Sequence, residues 1–585
     1  MVLLNHLYKP RMASMSLPKS LAVLNNGPFT IPSYTLPTAE RAAVAYKKAE
    51  LSSLTYQITM NDVLHLSPKF FELHLDPVAV LDTAIIALVT IQYNLCAGTI
   101  ARYAINRPEL VPLVDDLLQW RKHGQYFITE VGHGVDMSNL ETTATCLPSG
   151  EFILHSPTPQ SHKHMPPTIP AGKPTIGIVF AKLIVNNEDR GIRPFIVPIN
   201  DGRQMCTGVT AQLLPNRGDV HPVNHGFTAF NQVRLPASAL LGSLDKPRSA
   251  KDNMLDITWR VAIGTIAVAC LAVPFMKCCA TIGAKFSLRR RVGPPGNTRP
   301  IIQFRTQQIP VLTAISQVYV LQSYAQLSTN IFRDTDLDIR IRHGIATILK
   351  AVMTQLCFSS ARLISDRCGA QGLYEHNQMN VLFGTMRGVA IAEGEVLALS
   401  IRLATELLQG RYNVPTPLNH TSILARHEAG LLSEYRAILK SSPGHRSEQV
   451  NKFIIPQCLP LVEAIGHRMA YEAAVADKLP SYIIDLYVAS IIKLDPAWYV
   501  EHANISRQDI FEMESKALDE MLPHVERLVD DMGMEPYVSA PIVSDEKWDA
   551  FIESLPVVAG SGRVNLWDTD VCDGEHHRYH VNARL

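Results

Sequence analysis

Residues 366–410 read DRCGAQGLYEHNQMNVLFGTMRGVAIAEGEVLALSIRLATELLQG, and this stretch carries the pattern that is most informative about the fold. It sets one acidic residue, Glu393, between a glycine-rich turn and a run in which apolar residues recur at helical spacing. Gly410 follows that run, where a helix C-cap is expected. The pattern therefore predicts a helix whose first turn lies at or just after Glu393.

The sequence around Glu393 provides the mixture of surroundings that a general base needs. A helix N-terminus attracts negative charge, while the neighbours Ile391, Ala392 and Gly394 make part of the surroundings apolar, which raises the pKa of a carboxyl group. Glu395 is two residues further on, roughly 200° around a helix, so a carboxylate pair is not expected. The alternative interpretation is that Glu393 only caps the helix.

The composition disfavours several classes of function. With 585 residues, 47% of them hydrophobic and 18% charged, the chain can bury several cores, which predicts three or four domains or one large multi-layer enzyme. Its 54 basic and 54 acidic residues cancel, so no overall field attracts nucleic acid or an anionic membrane. The ten cysteines have no framework or CxxC spacing, which indicates a reducing compartment and no zinc site.

The most apolar run and the two ends of the chain bear on its location. Residues 261–276 are too few for a membrane helix and contain Gly264 and Pro274, so we interpret them as a buried core helix and expect no membrane span. The N-terminus lacks the pattern of a secretory signal. Residues 583–585 are Ala-Arg-Leu, a small, basic, leucine ending of the kind that the peroxisomal import receptor recognises. We therefore expect a peroxisomal protein.

Periodicity divides the chain into six parts. Apolar residues at helical spacing predict helices over most of its length, whereas short β-branched and aromatic segments separated by turn residues predict a central β domain. The predicted parts are an irregular lead-in at 1–38, a helical domain at 39–124, a β domain at 125–245, a helical domain containing Glu393 at 250–410, a second helical domain at 423–560 and a tail at 561–585.

Two further segments hold candidate binding residues. The segment TEVGHG at 129–134 places Thr129, with its hydroxyl and backbone N–H, near glycines that let a ligand approach the backbone. The segment KFSLRRR at 285–291 places four cations before a Gly/Pro turn, and the planar fork of Arg matches phosphate oxygens. This cluster is either a phosphate clamp or a solvated basic loop, and its isolation from aromatic residues disfavours nucleic acid.

The order of these parts, together with four motifs, resembles the acyl-CoA oxidases, the peroxisomal branch of the acyl-CoA dehydrogenase superfamily. The similarity covers about residues 40–560. The motifs are TEVGHGVDMSNLETTAT at 129–145, similar to the family's TELGHG...LETTAT; FSLRRR at 286–291 with FRTQQ at 304–308, similar to its arginine loop and FQTQQ helix; CGAQGL at 368–373, similar to CGGxGY; and AEGE at 392–395, similar to FEGEN.

The resemblance implies an α+β fold with an N-terminal helical domain, a central β-barrel-like domain, a helical-bundle domain and a second, C-terminal helical domain. It implies FAD as the cofactor, with Thr129 and Gly134 near the flavin and with Arg290 and Gln307 contacting FAD phosphate or adenine across a homodimer interface. Glu393 takes the position of the catalytic base. The implied reaction oxidises an acyl-CoA to the trans-2-enoyl-CoA and reduces molecular oxygen to hydrogen peroxide.

One segment departs from the family. Where the family has KWWPGG, this chain has KHMPP at 163–167 and two additional residues before Gly172. His164 and Met165 replace two indoles, which predicts a wider or differently shaped cavity and a branched, unsaturated or functionalised acyl thioester as substrate. Alternatively, neighbouring side chains refill the space and straight-chain esters react well.

Two rival functions stay open at the level of sequence. One is a dehydrogenase that passes electrons to a protein acceptor. The other is a family member that binds a CoA ester or a partner without chemistry; the altered segment at 163–167 favours it, and the retained Glu393 opposes it. The residues do not distinguish fatty-acid β-oxidation from a specialised biosynthetic pathway.

Overall fold

The structure of the chain, a computed structural model, describes residues 17–134 and 136–562. The tripeptide at 583–585 that carries the expected import signal lies outside the described residues. The first helices form one block, in which Thr59 and Asp62 make a capping box at the start of the third. These helices are α1 (Gly27–Thr30), α2 (Thr38–Leu54), α3 (Met60–His65), α4 (Pro68–His74), α5 (Ala84–Val89), α6 (Gly98–Ala104) and α7 (Val111–Leu118).

A π-helical segment, Thr90–Ala97, joins α5 to α6 without a break in the helix. Its residues are almost all buried. In a π-helix each N–H bonds five residues back, so side chains are presented at positions that a regular α-helix does not offer, and such segments are frequent at functional sites.

The β domain consists of two sheets. The larger follows the order β1-β5-β2-β3-β9, with β6 also paired to β5, and the smaller follows β4-β8-β7. Phe127, Phe152, Phe195 and Phe230 are among the side chains of its separate apolar core. The strands are β1 (His123–Phe127), β2 (Thr143–Cys146), β3 (Phe152–His155), β4 (Lys163–Pro167), β5 (Thr175–Val185), β6 (Glu188–Asn200), β7 (Val209–Leu213), β8 (His225–Phe230) and β9 (Val233–Leu235).

A helical block follows the sheets and carries Glu393. Its long helices pack on one another, and α12 contacts α9, α10, α11, α13 and α14. The helices are α8 (Ala250–Ile257), α9 (Trp259–Ala269), α10 (Ala272–Arg289), α11 (Arg305–Arg333), α12 (Ile339–Arg367), α13 (Met379–Ile391) and α14 (Val396–Leu408), and a short hairpin of β10 (Arg291–Val292) and β11 (Arg299–Pro300) separates α10 from α11.

The apolar run at 261–276 is not one short core helix, because it spans the end of α9 and the start of α10. Together these helices cover Trp259–Arg289, which is long enough and apolar enough to cross a membrane, so the expectation based on length is wrong. Ala84–Ala104 and Ile339–Arg367 meet the same criteria. Most of the apolar window of each segment is buried inside the protein, as expected of core helices.

The C-terminal helices pack on α11, α12 and α14. Arg468 is fully buried and donates to Glu428 and Glu472, while Glu472 also accepts from the N–H of Leu418 and so ties down the segment between α14 and α15. The helices are α15 (Ile423–Ser441), α16 (Glu448–Phe453), α17 (Cys458–Ala476), α18 (Ser481–Ile492), α19 (Pro496–His502), α20 (Arg507–Met521), α21 (Val525–Asp531) and α22 (Asp545–Ser554).

The predicted α+β class is therefore confirmed, with a helical block, two open sheets and two further helical blocks in that order. The domain limits proposed from the sequence stay predictions.

Candidate active site

Glu393 lies in a tight turn between α13 and α14. Its φ is +54° and that of Gly394 is +96°, so the chain passes through two left-handed residues before α14 begins. A non-glycine residue with positive φ costs on the order of 1–3 kcal/mol, and such residues cluster at active sites. Glu395, not Glu393, caps the helix, because its carboxylate accepts from the N–H groups of Leu397 and Ala398. The alternative interpretation of Glu393 as a helix-capping acid is wrong.

Two side chains hold the backbone of this turn. Lys350, on α12, donates to the carbonyl oxygens of Ala392 and Gly394, each at 2.5 Å. Thr265, on α9, donates through its hydroxyl to the carbonyl oxygen of Glu393 at 2.6 Å. Both side chains are buried. The strained turn is therefore fixed by side chains of two helices, so the backbone from which the Glu393 side chain extends has a defined position.

The carboxylate of Glu393 accepts two hydrogen bonds from the π-helical segment. Thr90 Oγ1 donates to Oε1 at 3.2 Å, and Asn94 Nδ2 donates to Oε2 at 3.1 Å. On the other side the carboxylate lies against Gly264 of α9, where a Cβ would be 1.1 Å from Oε2. Helices α9 and α12, the π segment and the turn thus meet around one carboxyl group.

Burial is the main reason that the pKa of Glu393 is raised to about 7. The Lys350 ammonium, the hydrogen bonds from Thr90 and Asn94, and the Arg260 guanidinium act in the opposite direction. Burial also lowers the pKa of Lys350 to about 8 and that of Arg260 to about 9, although Glu393 raises both. A carboxyl group with a pKa near neutrality is ionised in part at pH 7 and holds a proton firmly enough to act as a general base.

A cavity of about 250 Å³ adjoins this turn. Gly394 and Thr265 are part of its wall, as are Arg340, Arg402 and Tyr412 on the side of α12 and α14. A ligand in it would contact both the Glu393 turn and two guanidinium groups. The wall is otherwise largely apolar, which suits an extended molecule with a charged part.

The predicted cofactor contacts Thr129 and Gly134 lie on the loop after β1. The Thr129 carbonyl accepts from the N–H of His164 at 2.9 Å, while its hydroxyl and N–H have no hydrogen-bond partner within the described residues. Gly134 is exposed, and a Cβ there would meet nothing within 4 Å. Both residues therefore leave donor groups and space for a ligand at this loop.

Arg290 and Gln307, the other predicted contacts, lie close to the β10–β11 hairpin. Arg290 is exposed, and in the part of the chain that the structure describes its guanidinium makes no ion pair. Gln307 is buried at the start of α11, and its Nε2 donates to Ser287 Oγ at 2.8 Å and more weakly to the Arg367 carbonyl. Among the described residues no hydrogen bond joins these two side chains to the Thr129 loop or to Glu393.

The altered segment at 163–167 forms β4. Lys163 is buried, pairs with Glu130 at 2.9 Å and donates to the Phe180 carbonyl at 2.7 Å. The His164 ring lies 5.4 Å from the ring of Phe227. The Met165 carbonyl is 2.5 Å from Nδ1 of His225. The strand is therefore held by contacts with Glu130, Phe180 and His225.

Sequence reasoning missed most of the residues that surround Glu393. They are Thr90, Asn94, Arg260, Gly264, Thr265 and Lys350. A signal existed for two of them: Lys350 and Arg260 are single cations within apolar helical runs, and a buried cation needs a partner. Nothing in the spacing showed that both cations lie near Glu393.

Comparison with known proteins places the chain near one enzyme family. The model of the acyl-CoA oxidase C-alpha1 domain matches residues 259–408. A probable acyl-CoA oxidase of Caenorhabditis elegans is 25% identical over 318 residues, which are 50% of this chain and 47% of that protein. Peroxisomal acyl-coenzyme A oxidase 1 of Mus musculus is 26% identical over 310 residues, 49% and 46% of the two chains. The chain spans about half the length of the curated relatives it matches.

Solved structures of acyl-CoA oxidases are similar to this chain over most of its fold. Acyl-CoA oxidase 3 from Yarrowia lipolytica superposes with a TM-score of 0.78 at 17% identity, covering 92% of this chain and 88% of the other. Acyl-CoA oxidase 2 of C. elegans, bound with FAD, ascaroside-CoA and ATP, gives 0.72 at 18% identity, covering 90% and 88%.

Proposed function

We propose that this chain, which carries an acyl-CoA oxidase C-alpha1 domain and has the fold of the acyl-CoA oxidases, is an FAD-dependent acyl-CoA oxidase. The resemblance to the acyl-CoA oxidases that the motifs indicated is confirmed by the match to the domain model and by the similar solved structures. The observation that carries the proposal is the carboxylate of the half-buried Glu393, held in a strained turn beside a cavity and with its pKa raised to about 7.

The proposed substrate is an acyl-CoA thioester, whose α-proton is weakly acidic. Glu393 takes this proton. The negative charge that moves onto the thioester carbonyl needs a donor, and the N–H of Glu393 has no hydrogen-bond partner among the described residues. The buried ammonium of Lys350 and guanidinium of Arg260 add positive potential at the same place.

The residues expected to hold FAD fit it in two respects. The hydroxyl and N–H of Thr129, together with the open space at Gly134, offer donors and room at the β1 loop. The guanidinium of Arg290 is exposed and can pair with a phosphate. The chemistry that bound FAD supplies is acceptance of the β-hydrogen as hydride and transfer of both electrons to oxygen, with hydrogen peroxide as product. Gln307 remains a predicted contact, since its amide nitrogen is used inside the subunit.

We assign the cavity beside Glu393 to part of the CoA ester. Arg340 and Arg402 in its wall suit phosphate groups, although each also contacts an acidic neighbour, Asp338 or Glu406. A functionalised acyl group is favoured by the altered β4 strand. An oxidase of C. elegans with this fold has been solved with ascaroside-CoA bound, and we include this ester among the candidate substrates.

Homodimer formation and peroxisomal import are part of the proposal. Three apolar residues are exposed, which suits a second copy of the chain: Leu373 (71%) in the turn that follows α12, Ile391 (67%) at the end of α13 and Leu397 (43%) at the start of α14. Several relatives are named peroxisomal, and residues 583–585 match the import pattern. Sedimentation of the purified protein and microscopy of a variant that lacks the last three residues test the two points.

The proposed function is tested by the visible spectrum of the purified protein and its response to acyl-CoA esters. We expect an oxidised flavin spectrum that bleaches without oxygen when a suitable ester is added, and that returns with release of peroxide when air is admitted. Bleaching that reverses only with a protein acceptor would indicate the dehydrogenase. A flavin-free protein, or one that no ester bleaches, would contradict the proposal.

A further inference from the structure

The π-helical segment presents two hydrogen-bond donors to one carboxylate. Thr90 and Asn94 lie four residues apart and contact different oxygens of Glu393, Oε1 and Oε2, at 3.2 and 3.1 Å. Both donors are largely buried. Hydrogen bonds from neutral donors to a carboxylate favour its ionised form and fix its plane.

Asn94 is itself fixed by Arg260. The Arg260 Nε–H donates to the Asn94 carbonyl at 2.8 Å, and Asn94 Nδ2 donates back to the Arg260 carbonyl at 3.1 Å. The guanidinium occupies the space beside Gly98, where a Cβ would be 2.3 Å from its atoms. With one Nδ2 hydrogen used by Arg260, the other points to Glu393, so the amide cannot rotate without losing both bonds.

The carboxylate faces few other titratable or charged groups. Lys350 approaches from α12 and Arg260 from α9, Tyr126 lies on β1, and Glu395 follows in the same turn. Lys350 donates to carbonyl groups of the turn. The carboxylate of Glu395 accepts from backbone N–H groups at the start of α14. Thr90 and Asn94 are the side chains that donate hydrogen bonds to the carboxylate itself within the described residues.

We infer that Asn94, assisted by Thr90, is a positioning residue for Glu393: its amide holds the carboxylate in one orientation and stabilises the ionised form that removes the proton. The inference rests on the proposed function for its catalytic consequence. Burial alone favours a protonated carboxyl group, which is inactive as a base, so donors that favour the ionised form determine how much active enzyme exists at neutral pH.

The test replaces each donor by a side chain of similar size that cannot donate. Asn94→Leu and Thr90→Val remove one hydrogen bond to Glu393 each. Thr99→Val is the matched control, because Thr99 is a buried residue of the adjoining helix α6 whose hydroxyl donates only to the Leu95 carbonyl. The titration of Glu393 is followed by infrared difference spectra of the full-length protein, with Glu393→Gln used to identify its carboxyl band.

We expect the titration midpoint of Glu393 to rise by about one pH unit in Asn94→Leu and by less in Thr90→Val, and to stay unchanged in Thr99→Val. The acidic limb of kcat/KM against pH should move by the same amount. A midpoint in Asn94→Leu equal to that of the wild type overturns the inference. If Asn94→Leu does not fold, Thr90→Val decides alone: an upward shift supports the inference and no shift overturns it.

The infrared measurement does not depend on turnover, so the two claims can fail separately. If no acyl-CoA ester reduces the wild-type protein, the proposed function fails, while a shifted carboxyl titration still supports the positioning of Glu393 by Asn94. If the wild type is active and the variants titrate normally, the inference fails and the proposed function stands.

Discussion

The carboxylate of Glu393 lies where a side chain at residue 264 would be: a Cβ on Gly264 would lie 1.1 Å from Oε2 and 2.9 Å from Asn94 Nδ2. Gly264 is in the middle of helix α9, where glycine is otherwise unfavourable. Glycine at this position therefore makes the helix less stable but leaves room for the carboxylate of Glu393.

Gly264→Ala tests this relationship. Alanine favours an exposed helix by about 1 kcal/mol over glycine, so the helix itself should tolerate the change. The added methyl group must displace the carboxylate, and we expect kcat to fall by at least about 100-fold with the flavin retained. Gly98→Ala would press on Arg260 and reach Glu393 only through Asn94, so its kcat should fall less than that of Gly264→Ala. Normal turnover in Gly264→Ala would show that the carboxylate does not need this position.

Arg290→Ala tests the proposed phosphate contact. Loss of a charge-assisted hydrogen bond to an FAD phosphate should lower the flavin-to-protein ratio after gel filtration far more than it weakens acyl-CoA binding. Arg291→Ala is the control, because the Arg291 guanidinium already donates to Thr298 within the hairpin. An unchanged ratio in Arg290→Ala would assign the cluster to a solvated loop.

The altered β4 strand predicts the substrate class. The space beside His164 and Met165 should differ in shape from the space that two indoles would leave. We therefore expect kcat/KM for palmitoyl-CoA to be lower than that for branched, polyunsaturated or functionalised esters. His164→Trp should shift the preference toward palmitoyl-CoA. If palmitoyl-CoA is the best substrate of the wild type, neighbouring side chains have refilled the space.

The raised pKa of Glu393 predicts how stability depends on pH. In the unfolded chain this carboxyl group ionises near its ordinary value of 4.5, whereas in the folded protein it ionises near 7. Between these values the folded state binds more protons, so the wild type loses stability as pH rises through this window. Glu393→Gln lacks this loss, and we expect its Tm relative to the wild type to increase from pH 4.5 to pH 7 and then level off. A constant difference in Tm would contradict a buried, raised carboxyl group.

The helix after Glu393 could be predicted from the sequence because its signal is local. Apolar spacing places α14, and Gly410 follows it with φ of +69°, as its predicted C-cap role requires. The order of helical and β parts was also predictable, since helical and strand periodicities differ within a few residues.

The detail of the candidate site was not predictable in the same way. Whether Glu393 or Glu395 caps α14 depends on the dihedral angles of Glu393 and Gly394, which residue types alone do not set. Thr90 and Asn94 meet Glu393 from about 300 residues away in the chain, through a π-helical turn that has no local sequence pattern. Contacts between residues so far apart in the sequence leave no periodic pattern of residue types.

The central claim is that Glu393 is the base of an oxygen-dependent acyl-CoA oxidation, and peroxide release by Glu393→Gln measures it most directly. Glu395→Gln serves as the control, since Glu395 caps α14 and should affect stability more than rate. With the best ester of the panel, we expect the wild type to form one peroxide per enoyl-CoA. Glu393→Gln should retain flavin and ester binding but turn over about 10²- to 10⁴-fold more slowly, and Glu395→Gln should remain near the wild-type rate. Peroxide release by Glu393→Gln at close to the wild-type rate would contradict the account.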